Sequence, residues 1–283
     1  MVGFYSFISE VMEDKGSLVV VGTGIKVAAD ITARAHSYIK KADIVFYIVP
    51  NKISKQWLSS LNENTHDLSK YYEDGKSRIV TYNEMTSALI LAVESGKKVC
   101  AALYGHPGVF SYVGHQAIKL LRQKKYIARM EPGVSAEDCL FADIGIDPGK
   151  TGCLSIEATQ FLFYKRRFDP HALIVLWQIA LIGDHTLKLG TTNKYHKALS
   201  LLVTELLKYY PKNHQVIIYE ASVIELFPPR IEYIALAKLK NVKLNAISTL
   251  VIPPRDEADL DFEILNSLNI NESDIKEVLK DKI

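Results

Sequence analysis

The residues best suited to chemistry lie in short strings punctuated by glycine. YGHPGVF (104–110) follows an apolar run that reads as a buried strand. Tyr104 then stands at a carboxyl end, the edge at which open α/β sheets place ligands. Gly105 and Gly108 free the backbone and Pro107 stiffens it, so the turn can present main-chain groups to a cofactor. EPGVSAED (131–138) is a second such loop. With Ser135 as N-cap, the helix it opens offers N–H groups able to grip a carboxylate or hydroxyl. Gln178 interrupts the apolar strand ALIVLWQIA with an amide that needs partners if buried. A third string, YYEDGKSRIVTY (71–82), gathers Tyr71, Tyr72, Arg78 and Tyr82. By residue type these are phenols and a cation for a reacting group, or loop anchors and a surface charge in a chain of 15 tyrosines.

Other signals point away from specific chemistry. VGTGI after the first apolar run invites a dinucleotide-binding reading, but Val27 occupies the third glycine position of G-x-G-x-x-G. The next strand ends in Pro50, with no acidic residue to hold a ribose. The eight histidines form no H-x-x-x-H pair, and Cys100, Cys139 and Cys153 form no C-x-x-C, so no metal is expected.

These strings must be positioned by an α/β alternation beginning at Ser17. LVVVG (18–22) and ADIVFYIVP (42–50) read as strands buried on both faces, with a helix from about Ala28 to Lys41 between them. TYNE has capping-box spacing, so a helix is predicted from Thr81, with Met85, Ala88, Leu89, Ala92 and Val93 as its apolar stripe. KKVCAALYG is a further strand, 112–124 a helix, and YIARM a strand. The second half holds the strands ALIVLWQIA, HQVIIYEAS, RIEYIAL and AISTLVIPP, and a helix from about Lys194 to Tyr210. The expected organisation is an N-terminal extension (1–16), two α/β domains (17–131 and 132–254), and an acidic helical tail (255–283).

Composition bounds the partners. Thirty-four basic and 32 acidic side chains give a net charge of +2, no electrostatic case for nucleic acid or a membrane surface. Hydrophobic residues make up 48% and charged residues 23%, a globular balance. No apolar run approaches the ~18 residues of a membrane span, and the N-terminus lacks the pattern of a secretory signal. Three cysteines argue against a disulfide framework and for a reducing, cytoplasmic setting.

Taken in order, VGTG, YGHPGVF, the PGVSA loop and ISTLVIPP resemble the tetrapyrrole-methylase superfamily of S-adenosylmethionine (SAM)-dependent methyltransferases, from about Ser17 to Pro254. Within it, YYEDGKSRIVTY together with SAEDCLFADIGIDPG (135–149) is similar to the borosin peptide backbone α-N-methyltransferases. The resemblance implies two α/β domains of the tetrapyrrole-methylase type, with SAM in the cleft between them and S-adenosylhomocysteine as product. It implies that Tyr104, His106 and Val109 line the methionine and ribose side, that Ser135 and Ala136 touch the same cofactor, and that Gln178, Ala221, Ser248 and Thr249 surround the adenine, with Tyr219 helping. It also makes Tyr72, Arg78 and Tyr82 the catalytic set. Ser69 departs from the pattern, standing where some members place another tyrosine.

A backbone amide nitrogen is a poor nucleophile, because its lone pair is delocalised into the carbonyl. Methylation requires loss of the N–H proton or stabilisation of imidate-like charge on oxygen. On the resemblance, Arg78 lowers a neighbouring tyrosine's pKa or stabilises that charge, Tyr82 hydrogen-bonds the carbonyl, and Tyr72 or a tyrosinate takes the proton. The sequence ends in the polar NSLNINESDIKEVLKDKI, without an apolar core peptide, so a split system is expected: a homodimer acting in trans on a separate precursor peptide. The extension 1–16 is expected to pack on the body or on the second copy. Two competing readings are a tetrapyrrole C-methyltransferase, which would need an arginine-rich mouth that 51–80 does not supply, and a non-catalytic SAM-binding escort of the peptide.

Overall fold

In the computed structural model, the described residues are 15–184, 193–271 and 273–275. The extension to residue 14 and the chain's end beyond 275 lie outside them. The described residues fall into two compact units: 15–144, 184 and 221–230 in one, and 145–183, 193–220, 231–271 and 273–275 in the other. The helix 136–144, which the sequence reading gave to the second domain, is thus grouped with the first unit.

The first unit is built on five parallel strands: β1 (Ser17–Gly22), β2 (Ile44–Ile48), β3 (Thr65–Asp67), β4 (Lys98–Leu103) and β5 (Ile127–Met130), in the order β3-β2-β4-β1-β5. Its helices are α1 (Ala33–Lys41), α2 (Lys52–Leu61), α3 (Arg78–Glu94), α4 (Tyr112–Gln123) and α5 (Ala136–Ile144). Alternate strand residues face opposite layers, as a two-residue period requires. Phe46, Val99 and Ala101 pack with Met85, Leu89 and Val93 of α3 and with Ala117 and Leu121 of α4. Val45, Tyr47, Cys100 and Ala102 pack with Ala35 and Ile39 of α1 and Leu58 of α2. Burial on both faces is why these strands read as unbroken apolar runs.

The second unit carries a mixed sheet. Its strands are β6 (Cys153–Glu157), β7 (Leu173–Trp177), β8 (Gln215–Glu220), β9 (Arg230–Ala235) and β10 (Thr249–Ile252), in the order β6-β7-β10-β8-β9. β6 runs parallel to β7, while β10 is antiparallel to both β7 and β8. The helices α6 (Ala158–Phe163) and α7 (Asn193–Leu206) cover it, with Leu199, Leu202 and Leu206 packed on Ile174, Leu176 and Leu250. In the tail, α8 spans Phe262–Ser267.

Two helix starts differ from the sequence reading. The first helix begins at Ala33, because Ala28 is left-handed at φ +64 and the Asp30 carboxylate closes a turn on the N–H groups of Ile25 and Lys26. Thr32 then caps it, accepting from the Ala35 N–H at 3.1 Å. The second, α3, starts at Arg78, and Thr81 is a buried interior residue and no cap. Its N-cap, Ser77, makes no side-chain cap bond, so the true start carries no sequence signature. Among the described residues no helix is long and apolar enough to cross a membrane.

Candidate active site

Three glycine-bearing loops leave the carboxyl ends of β1, β4 and β5 and meet in direct backbone contact. A Cβ at Gly22 would lie 2.2 Å from the Gly105 carbonyl oxygen and 2.9 Å from Pro107. One at Gly133 would stand 3.1 Å from the Gly22 Cα and 3.2 Å from the same oxygen. The Gly105 N–H donates to the Gly24 carbonyl at 2.9 Å, and both glycines are left-handed, at φ +71 and +72. The VGTG string therefore serves loop crossing, which explains its glycines without a dinucleotide.

On this crossing the predicted cofactor residues of the first unit are gathered. His106 Nδ1 accepts from the Gly108 N–H at 3.0 Å, so a neutral ring carries its proton on Nε2. Tyr104 is half-buried; burial, then Cys139 and Asp30, push its hydroxyl above the usual range and keep it a donor. Val109 is exposed. Ser135 and Asp138 form a reciprocal cap: the Ser135 hydroxyl and N–H each donate to the Asp138 carboxylate at 2.7 Å, and the hydroxyl accepts the Asp138 N–H at 3.2 Å. The Ser135 hydroxyl is thus committed to the turn, and the first-turn N–H groups at Ala136 and Glu137 are the donors the helix itself leaves over.

In the second unit, antiparallel pairing brings the end of β7, the start of β10 and the end of β8 to one sheet edge. Leu176 pairs with Leu250, and Thr249 with Tyr219. Gln178 follows directly, in the left-handed region at φ +58, a strained conformation for a residue with a side chain. The Ile179 N–H donates to the Ser248 carbonyl at 3.2 Å. The Ser248 hydroxyl donates to Glu220 at 2.6 Å and accepts the Asn245 N–H at 2.8 Å. Ser248, Thr249 and Tyr219 are buried, so their side chains shape this edge. Ala221, half-buried and following Glu220, is grouped with the first unit.

The tyrosine–arginine set also lies within the first unit. A one-turn 3-10 helix (Leu68–Tyr71), capped by the Asp67 carboxylate on the Ser69 N–H, ends where the Tyr72 N–H donates to the Ser69 carbonyl. Arg78 and Tyr82 are four residues apart on α3, so they share a face. The Tyr72 and Tyr82 rings meet edge to face, with centroids 6.4 Å apart. Arg78 opens α3 with its Nε and Nη2 buried and without a hydrogen-bond partner. The Tyr72 side chain is 36% exposed, yet desolvation of its hydroxyl first, then Tyr82, raise it well above its ordinary value, and Arg78 only partly offsets them. The expected downward pull of Arg78 is present but outweighed. Sequence reasoning missed Tyr112, at the start of α4, whose ring stacks on Tyr82 at 5.9 Å and whose hydroxyl donates to Asn83. Its position just after YGHPGVF was the available signal.

The five-stranded parallel sheet places these glycine loops at its carboxyl edge, where open α/β sheets bind ligands, and the chain's relatives show which kind of protein this is. The chain belongs to the tetrapyrrole (corrin/porphyrin) methylase family, whose sequence profile matches residues 17–223. It is 36% identical over 272 residues to the methyltransferase/ribosomally synthesized cyclic peptide gymnopeptides precursor of Gymnopus fusipes, covering 94% of this chain and 64% of that protein. It is 37% identical over 261 residues to the methyltransferase/omphalotin A precursor of Omphalotus olearius, covering 90% and 62%. A type I borosin cyclic peptide precursor of Coprinopsis marcescibilis, also named a methyltransferase, is 36% identical over 265 residues, covering 91% and 68%. The chain spans just under two thirds of the first two relatives. Among solved structures, uroporphyrin-III-C-methyltransferase from Thermus thermophilus has a TM-score of 0.61 at 16% identity, covering 84% of this chain and 92% of that one. Diphthine synthase has a TM-score of 0.58 at 17% identity, covering 89% and 95%. These two share the fold.

Membership of the family implies SAM as the methyl donor, and the donor set fits it. SAM combines a carboxylate, a ribose diol and a sulfonium cation. The main-chain N–H groups at the start of α5 suit the carboxylate or a hydroxyl, and the protonated Tyr104 is a neutral donor. Among the described residues no group of three or more His, Cys, Asp or Glu could hold a metal ion.

Proposed function

We propose that this chain is a SAM-dependent peptide α-N-methyltransferase that methylates backbone amides of a separate, ribosomally made precursor peptide, working as a cytoplasmic homodimer. The observation that carries the reading is the Arg78 guanidinium, with two buried N–H donors unpartnered beside the Tyr72–Tyr82 pair. Relatives matching nearly the whole chain are named at once as methyltransferase and peptide precursor, which gives that cation a carbonyl to meet.

In this reading, Tyr104, His106, Val109, Ser135, Ala136, Gln178, Tyr219, Ala221, Ser248 and Thr249 bind SAM. Bound SAM supplies the methyl group as an electrophile. The chain's own residues must hold the amide in line and stabilise charge where it develops. Arg78 and the Tyr82 hydroxyl donate to the substrate carbonyl oxygen as it gains imidate charge. Tyr72, protonated in the free protein, accepts the amide proton only through its small tyrosinate fraction, so burial makes it a scarce but strong base.

The test is incubation of the chain with SAM and separately supplied peptides encoded beside its gene, followed by tandem mass spectrometry. Methyl groups on backbone nitrogens are expected, and supplying the peptide as its own molecule tests the in-trans arrangement directly. Transfer to a porphyrinogen and to no peptide would overturn the reading. Light scattering on the purified chain decides the dimer.

A further inference from the structure

The catalytic tyrosines sit on separate segments, Tyr72 after the 3-10 turn and Tyr82 within α3. Between them, Glu73–Ser77 is polar and turns through Gly75 at φ +77. One side chain ties this loop to α3. The Lys76 ammonium, with its side chain only 16% exposed, donates to the Tyr71 carbonyl at 3.2 Å, the Glu73 carboxylate at 3.3 Å and the Glu84 carboxylate at 2.6 Å. An ammonium has three N–H donors, and here all three are used. Two acceptors flank Tyr72 in sequence, and the third stands on α3 just beyond Tyr82.

A loop of this composition has no apolar anchor of its own, so its polar tie to α3 is what supports the Tyr72 edge-to-face contact with Tyr82 from the loop side. We propose that Lys76, clamped to Glu84, is a positioning residue that sets Tyr72 against Tyr82 and Arg78. The inference rests on the peptide-methylation reading above. Lys76 touches none of the reacting groups in that reading; it acts through the segment carrying Tyr72. Misplacing a catalytic group by about 1 Å is enough to cost on the order of a hundredfold in rate.

The experiment compares Lys76→Met, Lys76→Arg and Glu84→Gln with Lys124→Met, which removes an ion pair to Glu94 at the far end of α3. Hydrogen exchange of the amides of residues 72–77 and the kinetics of peptide methylation are read on each. Lys76→Met is expected to speed exchange roughly tenfold in that loop. It is expected to lower kcat about ten- to a hundredfold while peptide KM and SAM affinity stay within about twofold. Glu84→Gln moves both readouts in the same direction, Lys76→Arg restores most of each, and Lys124→Met changes neither. Unchanged exchange in Lys76→Met, or faster exchange with undiminished kcat, overturns the positioning role. A wild-type chain inert on peptides, with the exchange contrast intact, overturns the peptide reading and leaves the clamp standing.

Discussion

Replacing Arg78 with methionine should raise stability and abolish activity together. Three features of the start of α3 work against folding. The N-cap, Ser77, makes no side-chain bond, the first turn holds no acidic residue, and a cation occupies the first helical position. A positive charge at a helix N-terminus costs about 0.3–1 kcal/mol against the helix dipole. The buried, unpartnered Nε and Nη2 add a desolvation cost, of which an unsatisfied buried donor carries about 1–3 kcal/mol. Methionine has a similar helix propensity and keeps an unbranched apolar stem, so little is lost in exchange. A net gain of about 1–3 kcal/mol follows, because Arg78 is only half-buried and part of the cost is already relieved by solvent. For a unit of this size that is a rise in Tm of roughly 2–4 °C per kcal/mol. Removing charge-stabilising donors from a reacting oxygen should meanwhile cost on the order of 10²–10³ in kcat. Scanning calorimetry and single-turnover methylation, on the same preparation, measure both. A fall in Tm would mean that the guanidinium has folded-state partners, and methylation within tenfold of wild type would remove Arg78 from the chemistry.

Further outcomes follow from the same geometry. Tyr82→Phe keeps the ring contacts to Tyr72 and Tyr112 but loses the hydroxyl, so Tm should hold within about 2 °C while kcat falls about a hundredfold at unchanged SAM affinity; retained methylation in both this variant and Arg78→Ala would dispose of the catalytic assignment. Gly22→Ala forces a methyl group to 2.2 Å from the Gly105 oxygen, so a loss of about 3 kcal/mol or more is expected as a lower urea midpoint; a midpoint equal to wild type would contradict the crossing. Because burial holds the hydroxyls of Tyr72 and Tyr104 above the ordinary 10.0, the unfolded chain ionises first as pH rises. Their contribution is intact below pH 10 and is lost above it, so the urea midpoint should fall progressively at alkaline pH, and a rising midpoint would reverse the sign. If tyrosinate 72 is the base, kcat should climb about tenfold per pH unit between pH 7 and 9; a flat profile would exclude it.

Much of the first unit was readable because its strands are buried on both faces: LVVVG and IVFYI cannot be mistaken for surface. The strand Cys153–Glu157 was not, since its residues are exposed or half-buried and lack a β-branched run. Thr81 misled for a physical reason: a threonine spaced three residues from a glutamate suits a cap, yet here it is buried inside a helix whose real cap makes no side-chain bond. Local strings made the loops around Tyr104 and Ser135 legible individually. Their convergence through Gly22, Gly105 and Gly133 depends on strand order, which no string encodes. Tyr112 escaped for a similar reason, as its partners Tyr82 and Asn83 stand on another helix.

The glycine crossing also bears on how such a protein can be rebuilt. Because a methyl group on Gly22 or Gly133 would need space that the backbone of another of the three loops occupies, they are one inherited block rather than three exchangeable parts. A chimera that imports residues 104–110 from a relative must import the turn after Gly22 and the turn around Gly133 with it, or recreate their missing side chains. Freedom to diversify begins farther along each loop, at exposed positions such as Phe110, outside the residues proposed to bind SAM.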